Sequence, residues 1–221
     1  MSRTSDVTSP GGRGPSDRIC GRTTDRLYRR CVGAVGERVA VNNFDQLIER
    51  VAAKAAESER LRPPVSAEAV DEAEDRLGFR MHPLLVALYS KVGNGGFGPQ
   101  NSLLPLSGSP IRDGEEAAVE GYLARIAAAD AWWAWPEGVL PVLDWGCAMF
   151  ACVDCRSNDG TVLLFEPNAI SGHDLSQAWF VDAGSLAEWL ETWLADGGWY
   201  DEDVVDPGFG MARWAEVSAR L

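Results

Sequence analysis

Residues 139–166 read VLPVLDWGCAMFACVDCRSNDGTVLLFE, and this stretch decides the fold. It holds three short apolar runs, at 139–144, 148–153 and 161–166, each rich in the valine, leucine and phenylalanine that strands favour. Trp145-Gly146 separates the first two, and Arg156-Ser157-Asn158-Asp159-Gly160 separates the next two. These are turn-forming residues, too few to carry a crossover helix, so the runs are expected to pair antiparallel. A fourth strand is expected at 178–181.

Upstream, the apolar spacing becomes helical. Phe44, Leu47, Ile48, Val51 and Ala55 fall on one face behind Asn43 as cap, and Pro63 and Pro64 end that pattern. Ser66 opens a second helix with Val70, Ala73 and Leu77 inward, stopped by Gly78. Pro83 suits the first turn of a third, with Leu84, Leu85, Leu88, Tyr89 and Val92 as its stripe and Gly93 at its end. The loop Gly93-Asn94-Gly95-Gly96-Phe97-Gly98-Pro99 precedes an extended stretch at Leu103, Leu104 and Leu106. A fourth helix is expected from about Glu115, burying Val119, Tyr122, Leu123 and Ile126. Downstream of the strands, Ser185 with Glu188 forms a capping box. Leu186, Trp189, Leu190, Trp193 and Leu194 then line one face until Gly197.

These patterns predict an α+β domain with N-terminal helices, a central, mainly antiparallel sheet of short strands, and a closing C-terminal amphipathic helix. The expected limits are 41–198 for the domain and 199–221 for a loosely attached acidic tail in which 211–221 can form a short helix. Residues 1–40 are rich in Gly, Arg, Ser and Thr without periodicity. They are expected to be a disordered basic extension, or to precede a true start near position 41.

Charge limits the function classes. Residues 1–40 carry eight Arg against four acids, whereas residues 41–221 carry twelve basic against twenty-nine acidic groups. So acidic a body repels a phosphate backbone and suits a basic protein partner, or simply keeps the chain soluble. No uninterrupted apolar run is long enough to span a membrane, and the start shows no secretory leader, so a cytoplasmic location is expected. Arg outnumbers Lys 18 to 2, which fits the codon usage of a GC-rich bacterial genome. Five cysteines at 20, 31, 147, 152 and 155 are not the even framework of a disulfide-stapled secreted module.

No reaction chemistry emerges from the motifs. Gly93, Gly95 and Gly98 match a GxGxxG pattern, but a helix precedes them and none follows at once, so a tight chain reversal is expected in place of a dinucleotide site. Cys147, Cys152 and Cys155 with His173 can be drawn as a zinc set. The second half of a strong signature is missing, however, and within a strand Cys152 and Cys155 point to opposite faces, converging only if the turn begins at Asp154. Buried, inert thiols are the reading preferred, with no cofactor and no metal. His82 and His173 sit in no nucleophile motif, so the chain is not expected to be an enzyme. Glu115 and Glu116 point apart on a helix and read as a solvated face. Trp189 and Trp193 belong to the core stripe. Trp132, Trp133 and Trp135 lie in an aperiodic linker, two of them expected to pack on the sheet, and they are the candidate partner-binding anchors with Glu115 and Glu116.

The order of these segments resembles the SUKH superfamily of Smi/Knr-type proteins. The resemblance is carried by Leu84–Tyr89, Val92–Pro99 with Gly93, Gly95, Gly96, Phe97 and Gly98, and Leu103–Leu106. It continues through Trp135–Gly138, Leu143–Cys147 with Trp145 and Gly146, Cys152–Cys155, and Ser185–Leu190 with Trp189. It spans roughly 62–197, and the basic extension and acidic tail depart from it. It implies a non-enzymatic α+β domain that binds protein. Bacterial members look like immunity proteins that neutralise a toxin, often a nuclease. Fungal relatives look like regulators or scaffolds of cell-wall synthesis and signalling, which is the alternative reading. No catalytic residue is carried over.

Overall fold

A computed structural model of the 221-residue chain describes residues 44–130, 132–198 and 210–221. The basic extension 1–40 with Cys20 and Cys31, the Asn43 cap, and the acidic stretch 199–209 lie outside the described residues.

The chain is α+β. Strands β1 (Val139–Gly146), β2 (Met149–Asp154), β3 (Val162–Phe165) and β4 (Trp179–Ala183) form an antiparallel sheet in the order β1-β2-β3-β4. The register sets Asp144, Phe150, Phe165 and Trp179 side by side across the sheet. The first hairpin turns later than expected. Trp145 and Gly146 finish β1 after an irregularity, and the reversal is made by Cys147-Ala148, with φ of 50° and 62°. Two successive left-handed residues give a turn whose twist matches that of the flanking strands, so geometry overrides the preference for Asn-Gly.

Each sheet edge is capped in part by a neighbouring segment. On β1, Leu104 N–H donates to Val142 O at 2.8 Å. On β4, Val181 N–H donates to Ala212 O at 2.8 Å and Trp214 N–H to Trp179 O at 3.1 Å. Residues 210–221, expected to be loosely attached, are thus docked. Trp214 packs at 6.0 Å from Trp179, Val217 is buried, and Arg220 on α6 (Val217–Arg220) reaches Asp154 at 2.9 Å. The acidic composition that suggested a free tail belongs mainly to 199–209, whereas Trp214 and Val217 supply apolar surface to bury.

Helix α1 occupies residues 44–55 and buries Leu47, Ile48, Val51 and Ala55. Helix α2 (Ala67–Leu77) starts where Ser66 Oγ accepts from Ala69 N–H and stops at Gly78, whose φ of 77° suits a left-handed cap. Helix α3 (Pro83–Ala87) passes into a π-helical turn (Leu88–Val92) closed by Gly93 N–H to Leu88 O at 3.1 Å. Helix α4 (Ala118–Ala127) begins after Glu115, and its buried residues cluster at Ala118, Val119, Gly121 and Tyr122 in its first half. Ile126, expected inward, is exposed. Helix α5 (Leu186–Leu194) is capped by Ser185 Oγ, while Glu188 accepts from Gly184 N–H at 3.0 Å. It ends at Ala195 ahead of Gly197, and Asp196 takes φ of 55°.

His82 links the helical layer to the turn after β2. Its Nδ1 accepts from Leu84 N–H at 3.3 Å and its Nε2 faces Asn158 O at 3.2 Å. Donating at one nitrogen and accepting at the other requires a neutral ring. Burial, the largest influence, holds its pKa below the ordinary value. The unfolded chain therefore takes up this proton first, so the stabilisation is present above pH ~6.5 and is lost as pH falls through the folded-state pKa. Urea unfolding should show stability falling between pH 7.5 and pH 5, with a shallower fall in His82→Asn. Equal slopes in the two proteins would show that His82 is not the group responsible.

Candidate protein-binding surface

Most of the described cations are tied down. Arg50, Arg76, Arg112, Arg125, Arg156 and Lys91 each pair with a carboxylate. Arg62 and Arg213 give guanidinium hydrogens to backbone carbonyls. By contrast, Glu57, Glu59, Glu72 and Asp75 are exposed and have no cationic partner among the described residues. The accessible charge is thus more one-sided than composition alone requires, and negative.

The three candidate tryptophans separate. Asp130 Oδ1 accepts from Trp132 N–H at 2.6 Å and Trp133 N–H at 2.8 Å, which turns the chain after α4. Trp132 is left 63% exposed, 4.4 Å from His173 between ring centroids. Trp133 is half-buried, edge-on to Phe165 at 5.9 Å. Trp135 is buried, donates Nε1–H to Val139 O at 2.7 Å, and packs on Trp179 at 4.8 Å. The Arg125 guanidinium lies 5.2 Å from the Trp135 ring and 4.2 Å from Phe150. Two of the three indoles therefore complete the sheet's aromatic row, and Trp132 alone projects.

The acidic pair also divides. Glu115 precedes α4, with its side chain 9% exposed, and accepts from Arg112 N–H at 3.0 Å, so it is not part of a solvated helical face. Glu116 is exposed beside Arg125 and lines a small cleft with Asp144 and Phe150. Sequence reasoning missed Phe150, Phe165, Arg125 and His173 as neighbours of the tryptophans. Cross-strand register was the signal for the two phenylalanines, and it depended on where the first hairpin turned.

The remaining motif residues have structural roles. In the glycine loop, Gly95, Gly96 and Gly98 have φ of 79°, 79° and 83°, and Phe97 is fully buried. Gly96 N–H donates to Leu103 O at 2.8 Å and Asn94 Oδ1 accepts from Leu106 N–H at 2.7 Å, so polypeptide occupies the loop's concave side. Burial pushes the Cys152 thiol up and that of Cys155 up to about 12, which keeps both protonated and unreactive. Cys147 is exposed at the hairpin tip. No group of three or more His, Cys, Asp or Glu residues among those described is arranged to hold a metal ion. Trp189 is buried and donates Nε1–H to Asp182 at 2.9 Å. No described helix is long and apolar enough to cross a membrane.

The model of the SMI1 / KNR4 family (SUKH-1) matches residues 64–192. The chain belongs to this family. The matched SUKH-1 region runs from the start of the segment leading into α2 to within α5, and so contains the glycine loop, all four strands and the three candidate tryptophans. Helix α1 and the docked segment 210–221 lie beyond the matched SUKH-1 region, yet both contribute to its core. No curated protein matches the chain.

Proposed function

We propose that this SUKH-1 chain is a non-catalytic immunity protein that binds and neutralises a cognate toxin, such as a basic nuclease, in the cytoplasm. The observation that carries the reading is Trp132, a large aromatic left 63% exposed beside the exposed Asp130 on a chain of net charge −13. An exposed indole offers an anchor that a partner pocket can desolvate, while the net negative charge of the chain steers a basic partner and speeds association. An interface of standard size, roughly 1,600 Å² in total, would occlude a toxin's active site without chemistry by the inhibitor.

Co-expression with the products of neighbouring genes tests the proposal. The chain should rescue growth from one of them, and Trp132→Ala should weaken the complex by about 30-fold, a loss typical of an aromatic anchor, with an unchanged melting temperature. Equal killing with and without the protein would refute the immunity role.

A further inference from the structure

The docked segment 210–221 is seated on the sheet as a ligand is seated on a receptor. Its inward side chains recur every third residue: Trp214 and Val217 are buried, and the Arg220 side chain is 13% exposed. Ala212, Arg213, Ala215, Glu216, Ser218 and Ala219 around them are exposed, so no described element lies over the segment. An outermost layer parts from the sheet without another element having to move first. Local openings of this kind need less free energy than global unfolding.

The receiving groups define what fits. On β4, Val181 N–H and the Trp179 carbonyl pair with Ala212 and Trp214, and the short ladder is antiparallel. The Trp179 ring receives the Trp214 indole at 6.0 Å. Past the edge lies the Asp154 carboxylate, 3% exposed, whose one paired cation among the described residues is Arg220. A carboxylate so enclosed is costly unpaired, so an occupant must bring a cation to it. Arg220 gives one hydrogen bond to each Asp154 oxygen, at 2.9 and 3.1 Å, and another to Glu137 O at 2.9 Å. That arrangement suits the planar fork of a guanidinium and not an ammonium. All these receiving groups lie within the SUKH-1 match, whereas the segment lies beyond it. The segment carries two Arg and one Glu on a chain of net charge −13, so charge also favours a basic occupant.

We propose that the β4 edge and Asp154 form a binding site for a partner segment bearing an indole and, six residues on, a guanidinium. Residues 210–221 fill this site in cis as a displaceable strap. The occupant pairs with β4 as a short strand up to the indole and then makes one helical turn, which brings the guanidinium to Asp154. A partner segment that displaces the strap takes over its ladder bonds, ring contact and ion pair. The proposal makes no use of Trp132 and does not rest on the immunity reading.

The test uses the full chain with a protease recognition sequence placed within 199–209 and cut after folding. The cut protein should keep its circular dichroism spectrum, and a fluorescein-labelled peptide of residues 210–221 should exchange into it with saturable anisotropy. Peptides carrying Trp214→Ala or Arg220→Ala should each bind about 30-fold more weakly. A serine-based peptide that keeps only Trp, Val and Arg at their native spacing should bind within about tenfold of the native sequence. The uncut chain should bind the labelled peptide about 100-fold more weakly than the cut one, because its tethered strap competes at high effective concentration. Unfolding on cutting, or no uptake of the peptide, would make the segment an inseparable part of the core and overturn the proposal. Anchor variants that bind as well as the native peptide, or a serine-based peptide that does not bind, would refute the ligand class. A dimer in sedimentation velocity that cutting dissolves would place the strap on a second copy and refute its occupation in cis.

Discussion

Gly96→Ala should unfold this protein more readily than a methyl addition at any other of the described glycines. A Cβ at position 96 would lie 2.0 Å from the Arg60 carbonyl oxygen and 2.5 Å from its carbon, so backbone must move. The residue also sits at φ +79°, where an L side chain costs about 1–2 kcal/mol. Adding about 1–3 kcal/mol for forcing bulk into packed structure brings the expected loss to roughly 2–5 kcal/mol. For a domain of this size that lowers the melting temperature by roughly 4–20 °C. Gly108→Ala is the matched control. Its φ is +89°, but nothing lies within 4 Å of the added carbon, so only the conformational cost of about 1–2 kcal/mol remains. Urea unfolding of both variants separates strain from collision; equal losses would show that the close approach of Arg60 is not limiting.

Arg220→Ala is the second large effect expected, although position 220 lies beyond the family match. The Asp154 carboxylate is 3% exposed and takes two guanidinium hydrogen bonds from Arg220, at 2.9 and 3.1 Å, plus Arg156 N–H at 3.0 Å. Removing the guanidinium strands a buried charge and should cost about 3 kcal/mol. Arg220 also donates to Glu137 O and stacks 5.2 Å from the Trp214 ring, so the same change loosens the strand covering β4. Arg220→Ala with Asp154→Leu should recover part of the loss, because no buried charge is then left unpaired. The exposed Arg50–Glu191 pair provides the contrast: its removal should matter far less, since water and salt screen both groups. If Arg220→Ala unfolds at the same urea concentration as the unaltered protein, the C-terminal dock contributes nothing to the domain.

The glycine loop illustrates how far local sequence reaches. Its composition marked a reversal needing positive φ, and Gly95, Gly96 and Gly98 adopt it. Nothing in those seven residues named Arg60 as the backbone that Gly96 must clear, because the 58–62 segment approaches only when α1 folds back over the core. The tryptophans make the same point for the binding surface. Their linker had no period, so their split was unreadable until the register aligned Phe150, Phe165 and Trp179 and offered Trp135 a ring to pack on. Glu115 and Glu116 were adjacent letters with one reading, and a turn over 112–115, ahead of the Ala117 cap, sent the first inward to Arg112.

Periodicity, caps and turn residues by themselves determined the element types, their order and the antiparallel pairing of β1, β2 and β3, since these depend on residues close along the chain. Only the tertiary structure decided which carboxylates stay free, which indole projects, and that residues 210–221 close the β4 edge. Those outcomes depend on pairs far apart in sequence, Arg220 with Asp154 and Arg50 with Glu191, whose meeting is set by packing of the whole core and not by any local preference.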